Sequence, residues 1–192
     1  MKVKLSLSLV FICMAAAAHA AKKDAEVPWG QEPISFIGIN LGEKLTYQLK
    51  QCPADYSVPD EICYQRPFQG YYPLFAVPSL GLHGYTAGVT THESQIREIT
   101  LNTKVDDYDA VKTMFVQKYG KPKLQATEMV KTKVGATFQN EKLFWEGERV
   151  VILLKKYSDT IDKSSVSVIN KAVAMKAVQA EQGKLSENAS RL

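Results

Sequence analysis

With 192 residues, 24 basic and 20 acidic side chains and a hydrophobic fraction of 45%, the chain has the size and composition of one globular domain with a single core. Its formal charge of +4 is too small and too scattered for nucleic-acid binding, which needs a dense basic patch with motif support. No cofactor or nucleotide signature is present.

Lys2 and Lys4 precede an apolar run from Leu5 to Met14, and Ala18, His19 and Ala20 form a small-residue cleavage site. This is the pattern of an export signal over residues 1–20, so the mature chain is expected to start at Ala21. The run is too short to span a bilayer, and no later stretch approaches the roughly 20 apolar residues a span requires. Cys13 follows Ile12 rather than the small residue of a lipoprotein signal. The expected location is therefore periplasmic or secreted. Loss of Lys2 and Lys4 leaves 22 basic against 20 acidic residues, with 6 and 9 in residues 21–103 and 16 and 11 in residues 104–192.

Export leaves two cysteines, Cys52 and Cys63, and in an oxidising compartment an isolated pair is expected to be joined. Closing so short a loop stabilises by about 2.5–3 kcal/mol in the chain-entropy model. The spacing is not the Cys-X-X-Cys of a redox site.

Residues 21–33, charged and punctuated by Pro28, Gly30 and Pro33, read as a flexible lead-in to a single domain over 34–183. Ile34 to Ile39 reads as a strand, followed by a helix that carries Leu45, Leu49 and Tyr47 to the core and ends near Cys52 and Pro53. From Tyr64 to Leu82, aromatic residues alternate with Pro67, Pro73, Pro78 and glycines, a pattern expected to resist regular structure and to hold rings on a loop stapled by the disulfide. Gly84 to Thr91 reads as β structure.

The stretch from Ile96 to Ile169 organises the rest. A strand containing Ile99 and Leu101 leads to a helix opened by Asp106 as cap, with Asp109 in its first turn and Gly120 and Pro122 ending it. Tyr108, Val111, Phe115 and Tyr119 fall on one stripe of that helix, which should therefore pack on a sheet. Further strands are expected after it. The first carries Val134, Ala136 and Phe138 and turns at Asn140 and Glu141. Leu143 and Trp145 then share a face before a hairpin at Glu146 to Glu148. Val150 to Leu154, an unbroken apolar run, reads as a central strand covered on both faces, and Val166 and Val168 mark the last strand. Lys171 to Gln182 reads as a second-face helix and residues 184–192 as a flexible tail. The fold class is α+β, an antiparallel sheet of about five to six strands packed by two or three helices.

Three functional readings arise. Tyr64, Phe68, Tyr71, Tyr72 and Phe75 are ring types that anchor protein interfaces, favouring contact with another envelope protein. Lys118, Lys121, Lys123, Lys131 and Lys133 could instead face an anionic or glycan envelope component. A hydrolase or metal enzyme would require His83, His92 and Glu93 to converge, which strand geometry opposes; there is no Gly-X-Ser-X-Gly elbow and no free thiol.

The capped helix, the Lys-Tyr-Gly-Lys-Pro exit at 118–122 and the meander with Trp145 resemble small exported bacterial proteins of the β-lactamase-inhibitor-like and outer-membrane assembly accessory kind, over residues 96–170. That resemblance implies non-enzymatic binding in the periplasm.

Overall fold

The computed structural model describes residues 28–54 and 57–191. The expected export signal and most of the lead-in lie outside these residues. The expected α+β fold is present, but its sheet is larger than the five or six strands read from the sequence: among the described residues there are nine strands in one sheet and two in a small hairpin.

The expected single strand at 34–39 is that hairpin, β1 (Ser35–Phe36) and β2 (Ile39–Asn40), because Ile37 takes a positive φ of 46° between them. One helical turn follows, α1 (Leu45–Gln48). Leu45 and Leu49 are buried as expected, but Tyr47 stands in solvent, since so short a turn has only one inward face. Then come β3 (Lys50–Gln51), β4 (Cys63–Tyr64), β5 (Tyr71–Phe75), β6 (Tyr85–His92) and β7 (Gln95–Lys104). A turn of 3-10 helix at Val105–Asp107 enters α2 (Tyr108–Tyr119), and β8 (Leu124–Lys131), β9 (Thr137–Glu146), β10 (Val150–Lys155) and β11 (Lys163–Asn170) precede α3 (Lys171–Ala189).

The sheet order is β3-β4-β5-β6-β7-β11-β10-β9-β8. α2 therefore carries the chain from the middle of the sheet to its far edge, and the meander β8 to β11 brings it back to β7. The registers line up the apolar residues. Ile99 lies opposite Val89 and Val168, and Leu101 opposite Ala87 and Val166. Trp145 faces Ile152 and Leu143 faces Leu154. All are buried in one core with the expected α2 stripe of Tyr108, Val111, Phe115 and Tyr119 and with Phe36, Ile39, Leu45 and Leu49 from the first segment. Each such side chain contributes about 1.5–3 kcal/mol on burial.

Several local expectations are corrected. Asp106 does not cap α2; among the described residues no side chain does, because the chain enters through the 3-10 turn. The neighbouring Asp107, buried, instead accepts from the His83 backbone N–H at 3.1 Å and pairs with His83 Nδ1 at 2.6 Å. At the other end Gly120 ends the helix with a positive φ of 76° but an extended ψ of −170° rather than the left-handed helical cap expected, and its N–H still donates to the Val116 carbonyl. Asn140 and Glu141 do not turn. They continue β9, because the Asn140 side chain accepts from Tyr157 N–H and donates to its carbonyl, while Glu141 is engaged by α2. Val134 sits in the β8–β9 turn, 92% exposed. β10 is interior to the sheet, yet only Val150, Ile152 and Leu154 are buried; Val151 and Leu153 are half-buried, so one face is covered and the other only partly.

α3 lies against β6, β7 and β11. Asn170 caps it by accepting from Val173 N–H at 3.0 Å, and Val173 is its buried residue, outside the main core. The expected tail continues this helix past Gly183 to Ala189, with no proline to stop it and an ion pair between Glu187 and Arg191 one turn apart. Among the described residues no helix is long and apolar enough to cross a membrane.

Glu141 ties α2 to the sheet. Its carboxylate accepts from the Tyr108 hydroxyl at 2.7 Å, from the Lys112 ammonium at 2.8 and 2.9 Å, and from Gln125. Partial burial works to raise the Glu141 carboxyl, but the Lys112 and Tyr108 hydrogen bonds and the Lys112 and Lys156 charges outweigh it and hold it below the usual carboxylate range. The Tyr108 phenol is pushed up by burial and by that carboxylate. Because the folded value is depressed, the ionised Glu141 stabilises fully above the ordinary carboxylate range and its contribution is lost as pH falls through the folded value. Glu141→Gln is expected to lower stability at pH 7 by about 1–3 kcal/mol and to shrink the further loss on acidification below the ordinary value of 4.5. Urea midpoints at neutral and acid pH check both effects.

Candidate functional site

The stapled edge comes first. Cys52 and Cys63 are joined, with Cα atoms 5.1 Å apart. The bond ties the end of the first segment to β4, beside the hydrogen bond from Cys52 N–H to the Tyr64 carbonyl at 2.9 Å. The aromatic stretch is not the irregular loop its prolines suggest. Tyr71–Phe75 is a sheet strand, β5, in which Tyr72 and Leu74 lie opposite Val89 and Ala87 of the core. Pro73 has no N–H to give the ladder, but its carbonyl accepts from Gln65 N–H at 2.8 Å.

The five rings consequently separate. Tyr64 and Tyr72 meet edge to face at 5.6 Å and pack against the core. The phenol end of Tyr71 covers Gly88, where an added Cβ would sit 2.1 Å from it; burial, then the Glu98 carboxylate, push that phenol's pKa up. Phe68, in the turn before β5, is 72% exposed, and Phe75 at its end is 46% exposed. Tyr47, before Cys52, is 78% exposed, and Val58, inside the loop that the disulfide closes, is 89% exposed.

The five lysines also fall apart into groups. Lys118 sits over the Tyr119 ring at 5.3 Å. Lys131 and Lys133 lie at the β8–β9 turn, a full eight-residue strand from Lys123, or on the order of 25 Å. Lys121 and Lys123 line a cleft of about 660 Å³ with Pro28, Trp29, Trp145, Glu146, Gly147, Glu148 and Lys171.

Hydrogen bonds fix the walls of this cleft. The Trp29 indole N–H donates to the Tyr119 carbonyl and that of Trp145 to the Gly120 carbonyl, both at 2.8 Å. These satisfy two of the carbonyls a helix leaves open at its end. Glu32 accepts from the amides of Arg149 and Val150, both at 2.6 Å, and its carboxyl occupies the space a Cβ on Gly147 would need. Lys171 donates to Glu146 at 2.9 Å and to the Gly147 carbonyl at 3.0 Å, while Lys123 pairs with Glu146 at 3.4 Å. Lys171 and then Lys123 hold the Glu146 carboxyl below its usual range. Tyr119, beneath Trp29, has its phenol pushed up to about 12 by burial.

No family model, curated protein or solved structure matches the chain.

The convergence required for a metal enzyme does not occur. His83 and His92 lie at opposite ends of β6, and His83 is engaged by Asp107. Among the described residues no three His, Cys, Asp or Glu side chains are placed to hold a metal. Sequence reasoning passed over Trp29 and Lys171, which line the cleft, and Glu32, whose hydrogen bonds brace it. Trp29 carried a usable signal, since a tryptophan in an otherwise polar lead-in is a large apolar surface that gains by docking.

Proposed function

We propose that the chain is an exported, non-enzymatic binding protein that contacts another envelope protein through its stapled edge. The observation that carries this reading is the set of apolar side chains left in water on segments around the disulfide: Phe68, Phe75, Tyr47 and Val58. Rings on braced backbone lose little freedom on binding, which is what interface anchors require. Tyr71 and Tyr72, by contrast, belong to the sheet. The Phe68→Ala, Phe75→Ala double variant is expected to weaken capture of a partner from envelope extract about tenfold or more while shifting the melting temperature by less than about 2 °C, and Tyr72→Ala to lower the melting temperature. Unchanged capture with the double variant would remove the stapled edge from the account.

The second reading, a module for an anionic or glycan component, has its own support in the meeting of Lys121 and Lys123 with Trp29 in a braced cleft.

A further inference from the structure

The cleft beside the end of α2 has a composition that narrows its occupant. Three ammonium groups, Lys121, Lys123 and Lys171, line it with two carboxylates, Glu146 and Glu148. A compact polyanion would meet both glutamates, and a cation would meet three lysines. The fitting ligand carries about one negative charge and many groups that both donate and accept hydrogen bonds.

The lysines are not equivalent. Lys171 and Lys123 are engaged by Glu146, whereas Lys121 is exposed and carries no ion pair among the described residues. Lys121 is thus the cation open to a ligand's acid group; Glu148 carries no ion pair among the described residues, and Glu146 keeps lone pairs beyond its two lysine contacts to accept from hydroxyls. Trp29 has committed its indole N–H to the Tyr119 carbonyl, so what it offers an occupant is ring surface, a natural partner for the C–H face of a pyranose. The volume of about 660 Å³ lies within the range of small-molecule sites. The walls are already cross-linked through Glu32, Lys171 and both indoles, so little ordering remains to oppose binding.

We propose that this cleft binds an acidic saccharide, with Lys121 on the acid group, Glu146 and Glu148 on hydroxyls and Trp29 against the ring face. The inference rests on the second reading above and is sharper than it, since that reading is satisfied by any anion or any glycan.

The chain has two tryptophans, Trp29 and Trp145, and both line the cleft. Intrinsic fluorescence of the mature protein therefore reports on this site. Titration with a galacturonic acid disaccharide is expected to give a saturable change, at least about tenfold tighter than with the neutral galactose disaccharide, reflecting one charge-assisted hydrogen bond. Lys121→Ala should abolish that difference, and Lys131→Ala, at the other end of β8, should leave it intact.

Equal binding of acidic and neutral sugars, or no binding of either, would overturn the proposal. Saturation by inorganic phosphate as tight as by the acidic disaccharide would overturn the sugar while leaving an anion site standing. Tighter binding of an acidic tripeptide than of the acidic sugar would overturn it in favour of a peptide.

Discussion

Replacing Trp145 by alanine is expected to cost about 3–5 kcal/mol of folding stability, a large share of the roughly 5–15 kcal/mol a domain of this kind possesses. The side chain is 1% exposed and lies opposite Ile152 in the sheet. Its ring centroid is 6.1 Å from that of Phe115 on α2. Truncation removes the largest fully buried side chain of the core and leaves a cavity between helix and sheet, where neither element is free to collapse. It also strips the Gly120 carbonyl of the indole N–H that satisfies it. Trp145→Phe largely separates the two effects, because it keeps most of the packing while losing the hydrogen bond; its cost should be about 1–3 kcal/mol. Urea midpoints at unchanged m value measure both. A loss below about 1 kcal/mol for the alanine variant would mean that α2 is not held where the structure puts it.

The second large effect is expected from the Cys52→Ser, Cys63→Ser double variant. The cysteines are 11 positions apart, and releasing so short a loop restores about 2.5–3 kcal/mol of denatured-state entropy in the chain-entropy model. Reducing the wild-type protein should reproduce almost the whole of this loss, since reduction removes the same constraint. The two-residue strands β3 and β4 meet beside this bond, so hydrogen exchange should rise at Cys52 N–H and at the Lys50–Gln51 pairing before it rises in β7 or β11. Exchange rising equally in all strands would mean that the bond supports the whole domain rather than its edge.

Much of the central fold was legible because period and punctuation agreed. The α2 stripe of Tyr108, Val111, Phe115 and Tyr119 is the buried face, and Gly120 ends the helix, since a 3.6-residue apolar period and a glycine stop at positive φ both have local causes. Residues Leu143 and Trp145 share a face for the same kind of reason, two-residue alternation. What was not legible depended on partners distant in sequence. β8 was missed because Leu124–Lys131 is an edge strand exposed on most positions; with little to bury, it has no apolar rhythm, and its mixed charges fit the way natural edges avoid pairing with other chains. Asn140 and Glu141 looked like a turn, and only Tyr157, Tyr108 and Lys112 reveal why they stay extended. Pro73 hid a strand whose alternation, Tyr72 and Leu74 inward, was otherwise regular.

The candidate sites divide in the same way. Residue type identified rings and lysines, but the sheet register decides which rings remain in water, and the length of β8 decides which lysines can act together. The cleft could not be read from any one stretch, because Trp29, Lys121, Trp145 and Lys171 meet only after α2 has crossed the sheet and the meander has returned.

The account rests on an exported chain whose two remaining thiols are joined, bracing the edge proposed to meet a partner. The most direct measurement is the intact mass of the native protein, isolated from the cell envelope fraction under non-reducing conditions after treatment with iodoacetamide. The expected species is residues 21–192 with no carbamidomethyl group and a mass lowered by the two hydrogens of one disulfide. Recovery from the cytosol of the full 192-residue chain with its cysteines alkylated would contradict it.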